Sequence, residues 1–215
     1  MQKTTIPKTM ILGLLGMLLC AASAQAQTTP APADDTATPK PITIKLGVLF
    51  PSNGDLKNAV GSTFFAAGAE YAFINKQNPT SLVPLAYVDY AGRSKNRSVD
   101  DGQGNSVSLD LTASTVGVGG GARYYIGTPG TGSITPYVGA GVGVYFNHLK
   151  VAATVSSSDQ SGSASDSLNK TQFGFRLNAG VEFQKMYLLE ANYTNAGSVE
   201  GTRIDGFGIQ AGVRF

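Results

Sequence analysis

The chain has 215 residues, with 27 glycines, no tryptophan and a formal net charge of +2. This length suits one domain of ordinary size. Lys3 and Lys8 lie in an N-terminal segment that the sequence marks for removal, which leaves 14 basic against 14 acidic residues. A chain without a basic surplus is a poor electrostatic binder of nucleic acid, so we expect no nucleic-acid partner.

Residues 1–26 have the three parts of a secretory signal peptide. Lys3 and Lys8 precede the apolar stretch Met10–Leu19, and Ala24-Gln25-Ala26 forms a small-residue cleavage site. The apolar stretch is shorter than the ~20 residues that a membrane helix needs, and no later apolar run approaches that length. We therefore predict export, with cleavage after Ala26.

Cys20 is the one cysteine of the chain, and it lies within this leader. A lipoprotein cysteine normally follows a small residue, whereas Leu19 precedes Cys20, so simple removal with the leader is favoured over lipidation. The mature chain would then have no disulfide and, with one histidine, no metal-ligating set. We expect no cofactor. Residues 27–41, rich in Pro, Thr and Ala, predict a disordered periplasmic spacer rather than a proline-rich peptide ligand.

From residue 42 onwards, apolar residues alternate with small or polar ones, and helix signals do not recur. Successive side chains of a β-strand point to opposite faces, so each segment has one apolar and one small or polar face. The pattern predicts eight strands within residues 42–50, 65–73, 82–90, 109–124, 137–146, 172–183, 187–194 and 207–215. The C-terminal strand carries Phe207, Ile209, Ala211, Val213 and Phe215 on its apolar face.

The fourth strand changes phase along its length. Leu109, Leu111 and Ala113 are out of phase with the apolar residues that follow from Val116. One extra residue in a strand produces such a shift, so we predict a β-bulge near Ser114.

The connections between the predicted strands differ in length in a regular way. Every odd-numbered connection is long and polar, at residues 51–62, 91–106, 147–169 and 195–204. The others are shorter, at Asn75–Ser81, Gly127–Gly132 and Gln184–Lys185. Long loops on one rim and short turns on the other are typical of membrane barrels, for which eight is the smallest usual strand number. Residues 152–168, rich in serine, are predicted to be a mobile loop.

Alternation alone also fits a soluble β-protein whose apolar face points inward. The charges on the polar face favour the membrane barrel. Without partners, each charge in a narrow interior would cost several kcal/mol, whereas a balanced set can pair and fill the lumen. Glycines on an exposed strand face would only weaken a soluble sheet. The predicted interior ion-pair network has four basic and four acidic members: Lys45, Glu70, Asp89, Arg123, Arg176, Glu182, Glu190 and Arg214.

Aromatic residues lie near both ends of the predicted strands, as in the interfacial girdles of membrane barrels. Those toward the loop rim are Phe50, Phe65, Tyr90, Phe146, Phe173, Tyr193 and Phe207. Those toward the turn rim are Phe73, Tyr124, Phe183, Tyr187 and Phe215.

The segment Thr135-Pro136-Tyr137-Val138-Gly139-Ala140-Gly141-Val142-Gly143 and the alternating strand ending in Phe215 resemble the small outer-membrane β-barrel superfamily. This superfamily includes the opacity proteins, the OmpA transmembrane domain and the OmpW group. The resemblance covers residues 42–215 and implies an all-β, eight-stranded antiparallel up-and-down barrel, inserted into the outer membrane by the barrel-assembly machinery. Members are structural proteins, adhesins, small-solute channels or, rarely, lipid enzymes.

We therefore expect a structural or adhesive surface protein that is not an enzyme, in contact with outer-membrane lipid, lipopolysaccharide and, through its loops, host or cell-surface ligands. A passive channel for small or apolar solutes is the alternative, and a lipid A-modifying enzyme is less favoured.

Three features are weaker signals for binding or catalysis. The run Gly117–Ala122 mimics a phosphate-binding loop, but a strand rather than a helix follows it, so close packing is the favoured interpretation. Some small membrane barrels, which this chain resembles, edit lipid A with a histidine and a serine at the rim, and His148 lies beside the third loop; a lone loop histidine is more often only solvated. Arg93, Lys95 and Arg97 suit lipopolysaccharide phosphates or host glycans, or simply keep the second loop soluble.

Overall fold

A computed structural model of the protein describes residues 40–74, 81–100, 106–127, 134–156 and 161–215. The predicted signal peptide, the cleavage site, Cys20 and nearly all of the predicted spacer lie outside these residues. So do the predicted turns at residues 75–80 and 128–132. No helix in the described part of the chain is long and apolar enough to cross a membrane.

Eight antiparallel strands form a closed barrel in chain order, in which the last strand pairs with the first. This arrangement confirms the predicted all-β, up-and-down class. One short helix, α1 (Gly54–Ala59), follows the first strand. The strands are β1 Ile42–Pro51, β2 Phe64–Ala72, β3 Leu82–Asp100, β4 Ser106–Tyr125, β5 Ile134–Ser156, β6 Ser161–Phe183, β7 Tyr187–Val199 and β8 Thr202–Arg214.

The barrel wall has its apolar face outside and its polar face inside, as predicted. In β1, for example, Ile44 is 49% exposed whereas its neighbour Lys45 is fully buried. Aromatic rings project from the outer surface near both rims. Phe207 pairs with Phe50 across β1 and β8 and packs 4.9 Å from the ring of Tyr193. An apolar outer belt of this kind matches a surface that faces lipid.

The predicted β-bulge near Ser114 is wrong. β4 pairs in unbroken register with β3 and with β5 through this position, and the only register shift among the described strands lies between Asn195 and Ser198 in β7. Leu111 and Ala113 stay on the inner face of β4, where they pack against α1. The change of pattern therefore marks a change in what fills the lumen, from polar side chains to an apolar cluster.

The predicted long loops are also largely wrong, because most of their residues continue the strands. β3 and β4 remain paired from Arg93 and Ala113 up to Asp100 and Ser106. β5 and β6 remain paired up to Ser156 and Ser161, so residues 152–156 and 161–168 are strand rather than mobile loop. In residues 161–168 serine alternates with Gly162, Ala164, Asp166 and Leu168. Strand pairing satisfies backbone groups that a loop would leave to water. We call this end of the barrel the hairpin rim and the opposite end the turn rim.

A helix occurs where the sequence was predicted to have none. The Asn53 side chain accepts hydrogen bonds from the backbone N–H groups of Asp55 (2.8 Å) and Leu56 (3.1 Å), which is a standard N-cap. The helix has only six residues, too few to show a helical apolar repeat in the sequence. It lies at the hairpin rim and buries Leu56. At the turn rim, Gln184 and Lys185 adopt positive φ angles, which confirms the predicted tight turn.

Candidate functional site

The centre of the lumen holds two carboxylates surrounded by cations. Glu70 accepts from Lys45 Nζ at 2.8 Å and from Arg123 at 2.6 Å, and it also bonds Arg176. Glu190 accepts from the same Lys45 Nζ at 2.8 Å and lies 3.4 Å from Arg123. All five side chains are 3% exposed or less. Several hydrogen bonds to each carboxylate are what makes such burial tolerable, because an unpaired buried charge is strongly destabilising.

Neutral side chains complete the bonding of this centre. Glu190 Oε2 accepts from the Tyr137 hydroxyl at 3.0 Å and from Asn178 Nδ2 at 2.7 Å. The guanidinium carbon of Arg123 lies 4.2 Å from the centre of the Tyr137 ring, within cation–π range. The guanidinium group of Arg123 is planar and holds its donors in fixed directions. Together with the tyrosine rings, it leaves the side chains at the centre little freedom to move.

Arg176 extends the network toward the hairpin rim. Its NH1 donates to Asp89 Oδ2 at 2.8 Å, and its guanidinium carbon lies 3.8 Å from the centre of the Tyr87 ring. The Tyr87 hydroxyl lies 3.4 Å from that of Tyr145. These contacts place a layer of charge and two aromatic rings across the lumen.

A second ion pair lies nearer the turn rim. Arg214 NH1 is 2.8 Å from Glu182 Oε2, and Arg214 NH2 donates to the Tyr125 hydroxyl at 2.6 Å. That hydroxyl donates to Glu182 at 3.1 Å and lies 3.4 Å from Arg123 NH1. Tyr125 therefore connects the two groups of charges.

Glycines opposite the large interior side chains explain how the lumen accommodates them. Across neighbouring strands Tyr145 pairs with Gly117, Tyr87 with Gly119 and Tyr137 with Gly180. A Cβ atom at Gly117 would overlap the ring of Tyr145, and one at Gly180 would lie 2.7 Å from the Tyr137 hydroxyl. Alternating large and small residues fill small barrels in this way. The run Gly117–Ala122 lies within β4 and has this packing role.

An apolar lid closes the lumen at the hairpin rim. Leu56 and Val60, in and just after α1, are buried against Phe64 and Ala113. Beneath this lid, between it and Arg176, two adjoining cavities share several lining residues: Leu49, Ala91, Thr115 and Thr194. The lumen therefore has a charged centre, a narrow intermediate space and an apolar cover.

The structure places all eight residues of the predicted network in the interior. Six of them, Lys45, Glu70, Asp89, Arg123, Arg176 and Glu190, form the central cluster. Glu182 and Arg214 form the separate pair at the turn rim. Sequence reasoning missed the roles of the tyrosines and of Asn178, although Tyr87, Tyr137, Tyr145 and Asn178 each lie opposite a glycine in the neighbouring strand. It also missed the lid.

The weaker candidates lie on the hairpins. His148 Nδ1 is 2.7 Å from Asn169 Oδ1 in an exposed cross-strand contact between β5 and β6. Arg93 donates to the carbonyl oxygen of Thr63 at 2.7 Å, and Arg97 donates to that of Asn58 at 2.9 Å. No group of His, Cys, Asp and Glu suited to a metal ion occurs among the described residues.

A closed barrel with an apolar outer belt and a charged, filled interior is the architecture of a small membrane barrel. The family model for the outer membrane protein beta-barrel domain matches residues 12–215. The chain belongs to this family. Its location is accordingly the bacterial outer membrane. A comparison with curated proteins gives no match.

Solved structures of small outer-membrane barrels are similar in fold. Neisserial surface protein A (NspA) is 14% identical, with 83% of this chain and 98% of that one covered and a TM-score of 0.46. Ail of Yersinia pestis, in complex with the heparin analogue sucrose octasulfate, is 18% identical, with 82% and 97% covered and a TM-score of 0.43. The N-terminal barrel of Pseudomonas aeruginosa OprF is 17% identical, with 82% and 98% covered and a TM-score of 0.39.

Proposed function

We propose that this outer-membrane barrel is a closed surface protein, with an ion-paired interior that gives the barrel stability and hairpins that make contacts outside the cell. The observation that carries the proposal is the division of the molecule into a filled lumen and long paired hairpins. Lys45, Arg123 and Glu190 are essentially inaccessible to solvent. Leu56 and Val60 cover the lumen at the hairpin rim. An interior of this kind supports a scaffold rather than an open pore.

The hairpins supply the surface for contact. β3 and β4 stay paired for eight residues beyond the last pairing of β3 with β2, at Gly92. With a rise of about 3.3 Å per residue, this stretch is about 25 Å long. A paired hairpin holds its side chains in place, whereas a loop of equal length would lose conformational entropy on binding. Barrels of this kind carry short turns in the periplasm, so the hairpins belong outside.

Adhesion of whole cells tests the surface role. The full chain is expressed on a non-adherent bacterium and compared with two shortened forms, in which an Asn-Gly turn replaces residues 96–110 or residues 152–165. We expect the full chain to promote adhesion to an epithelial monolayer and at least one shortened form to lose it, at equal surface amounts. Adhesion no greater than that of cells with an empty vector would contradict the proposal.

A passive channel for small or apolar solutes is the second candidate. The cavities between the lid and Arg176 favour it, because movement of α1 would join them to the outside. Planar-bilayer conductance separates the two functions. We expect no current from the full chain, and a current from Arg176→Gln or Arg214→Gln if the ion pairs form the barrier. A steady current from the unaltered chain would favour the channel.

Outer-membrane lipid, lipopolysaccharide and the barrel-assembly machinery are the partners that this proposal requires. The apolar outer belt supports the first two. The last strand supports the third, because its alternate residues form a continuous apolar face: Phe207, Ile209, Ala211, Val213 and Phe215.

A further inference from the structure

The hairpins reverse the polarity of the barrel wall. In the wall the apolar face points outward, but above the lid the apolar face points inward. β4 there directs Val107, Leu109 and Leu111 to the inner side and alternates them with Ser108 and Asp110. β5 does the same, with Val151 and Val155 on the inner side and Lys150, Thr154 and Ser156 on the opposite face. We call the inner side of this four-stranded region the upper face, formed by Val99, Val107, Leu109, Leu111, Val151 and Val155.

The upper face continues past the lid, and among the described residues nothing covers this part of it. Strand register places Val99, Val107 and Val155 in one row across β3, β4 and β5. Their side chains are 70%, 47% and 49% exposed. Lower on the same face, Leu111 packs against the α1 cluster that contains Leu56. The lower part of this face already binds a helix, and the upper part presents the same kind of apolar surface to solvent.

Positive charge borders one side of the upper face. Every second residue from Arg93 to Arg97 on the inner side of β3 is a cation: Arg93, Lys95 and Arg97. Lys95 begins a row across the four strands that ends at Asp166 of β6. The two arginines donate to backbone carbonyl oxygens, at Thr63 and Asn58. Within the described residues none of the three cations forms a salt bridge. A ligand that fits this surface therefore has an apolar side and a negatively charged flank.

We propose that the upper face binds an amphipathic α-helix of a partner protein, with its apolar side on the valines and its acidic flank along β3. Four strands spaced about 4.8 Å apart span about 14 Å, which accommodates one helix of about 10–12 Å diameter. α1 demonstrates this mode of packing on the same face, and helix-in-groove binding is a common recognition mode. The inference rests on the proposed surface role and names the partner class for it.

Binding of a synthetic helix to the full chain in lipid nanodiscs tests the proposal. The probe is a fluorescent peptide of about 18 residues, or five turns, with leucines on one side and glutamates along one flank. One control peptide has lysine in place of glutamate, and another has the same residues in scrambled order. We expect the acidic amphipathic peptide to bind at least about tenfold more tightly than either control.

Matched variants locate the binding. Val107→Thr/Val155→Thr keeps the β-branched shape but reduces apolar burial, and it should weaken binding about tenfold. Lys95→Gln/Arg97→Gln should weaken binding and reduce its salt dependence. Lys150→Gln, on the outer face of β5, removes a charge elsewhere and should leave the affinity unchanged. Unchanged mobility of each variant on unheated SDS gels shows that the barrel has folded.

Four results would overturn the proposal. The first is equal binding of the acidic, basic and scrambled peptides, and the second is equal binding to empty nanodiscs. The third is that lipopolysaccharide displaces the peptide and that its own binding is weakened by Val107→Thr/Val155→Thr. The occupant of the upper face would then be a lipid amphiphile. The fourth is adhesion that is lost on hairpin shortening but intact in Val107→Thr/Val155→Thr. That result would retain the surface role and reject this partner class.

Discussion

Replacing Lys45 by methionine tests how strongly the central cluster stabilises the barrel. Methionine is also long and unbranched, so the change removes the charge with little loss of packing. Glu70 keeps Arg123 at 2.6 Å and its bond to Arg176. Glu190 loses its 2.8 Å partner and retains Arg123 only at 3.4 Å. The main consequence is therefore a buried Glu190 carboxylate that lacks its nearest cation.

The structure sets the expected size of this effect. Removing one partner of a buried ion pair typically costs about 3–5 kcal/mol. We expect a value near 3 kcal/mol, because Tyr137 and Asn178 still donate hydrogen bonds to Glu190. Lys45→Met/Glu190→Gln removes both charges and should recover part of the loss. Arg203→Gln is the control, since Arg203 is 62% exposed in its pair with Asp205 and should contribute about 1 kcal/mol or less.

Urea titration of the protein in phospholipid vesicles measures these differences. The folded fraction at each urea concentration follows from mobility on unheated SDS gels, and linear extrapolation gives the free energy of unfolding. A loss for Lys45→Met no larger than that for Arg203→Gln would refute the reasoning. Glu190→Gln alone completes the cycle. A double variant no more stable than the sum of the two single losses predicts would also refute the reasoning, because the pair would then have no favourable coupling energy.

Three further predictions concern the interior packing, the lid and catalysis. Gly117→Leu should abolish refolding in vesicles because its side chain overlaps the Tyr145 ring, and adding Tyr145→Ala should restore part of the yield; an unimpaired single variant would contradict this packing. Leu56→Asp should open the lid, so that a water-soluble maleimide labels Thr115→Cys about tenfold faster than with the lid intact; equal labelling rates would exclude a lid at α1. His148→Ala should leave the lipid A profile unchanged by mass spectrometry, whereas a lost modification would indicate an enzyme.

The strand pattern and the interior residues were predictable because side-chain alternation depends only on the strand itself. Once Ile44 is assigned to the lipid side, Lys45 must face the lumen whatever its partners are. The equal numbers of acidic and basic residues on the inner face indicated that they would form ion pairs. The pairing itself was not predictable, since Lys45 and Glu190 are 145 residues apart and meet only through the closed register of the barrel.

The lid and the hairpins could not be predicted for different physical reasons. α1 is too short to show helical periodicity, and its stability depends on the packing of Leu56 in the lumen. The phase change near Ser114 resembled a bulge because the inner face changes from polar to apolar without any change of register. Serine-rich composition suggested loops between residues 147 and 169, where apolar residues on one face and a paired backbone favour strands instead.

The mobility of the refolded chain on SDS gels, unheated and boiled, tests most directly whether this protein closes into a membrane barrel. Residues 27–215 are refolded into detergent or lipid vesicles, and an unheated and a boiled sample are run side by side. A closed barrel resists SDS in the cold, so the account predicts two distinct apparent masses, with the folded band lost on boiling. One identical band in both lanes, from a protein that stays soluble without detergent, would contradict it.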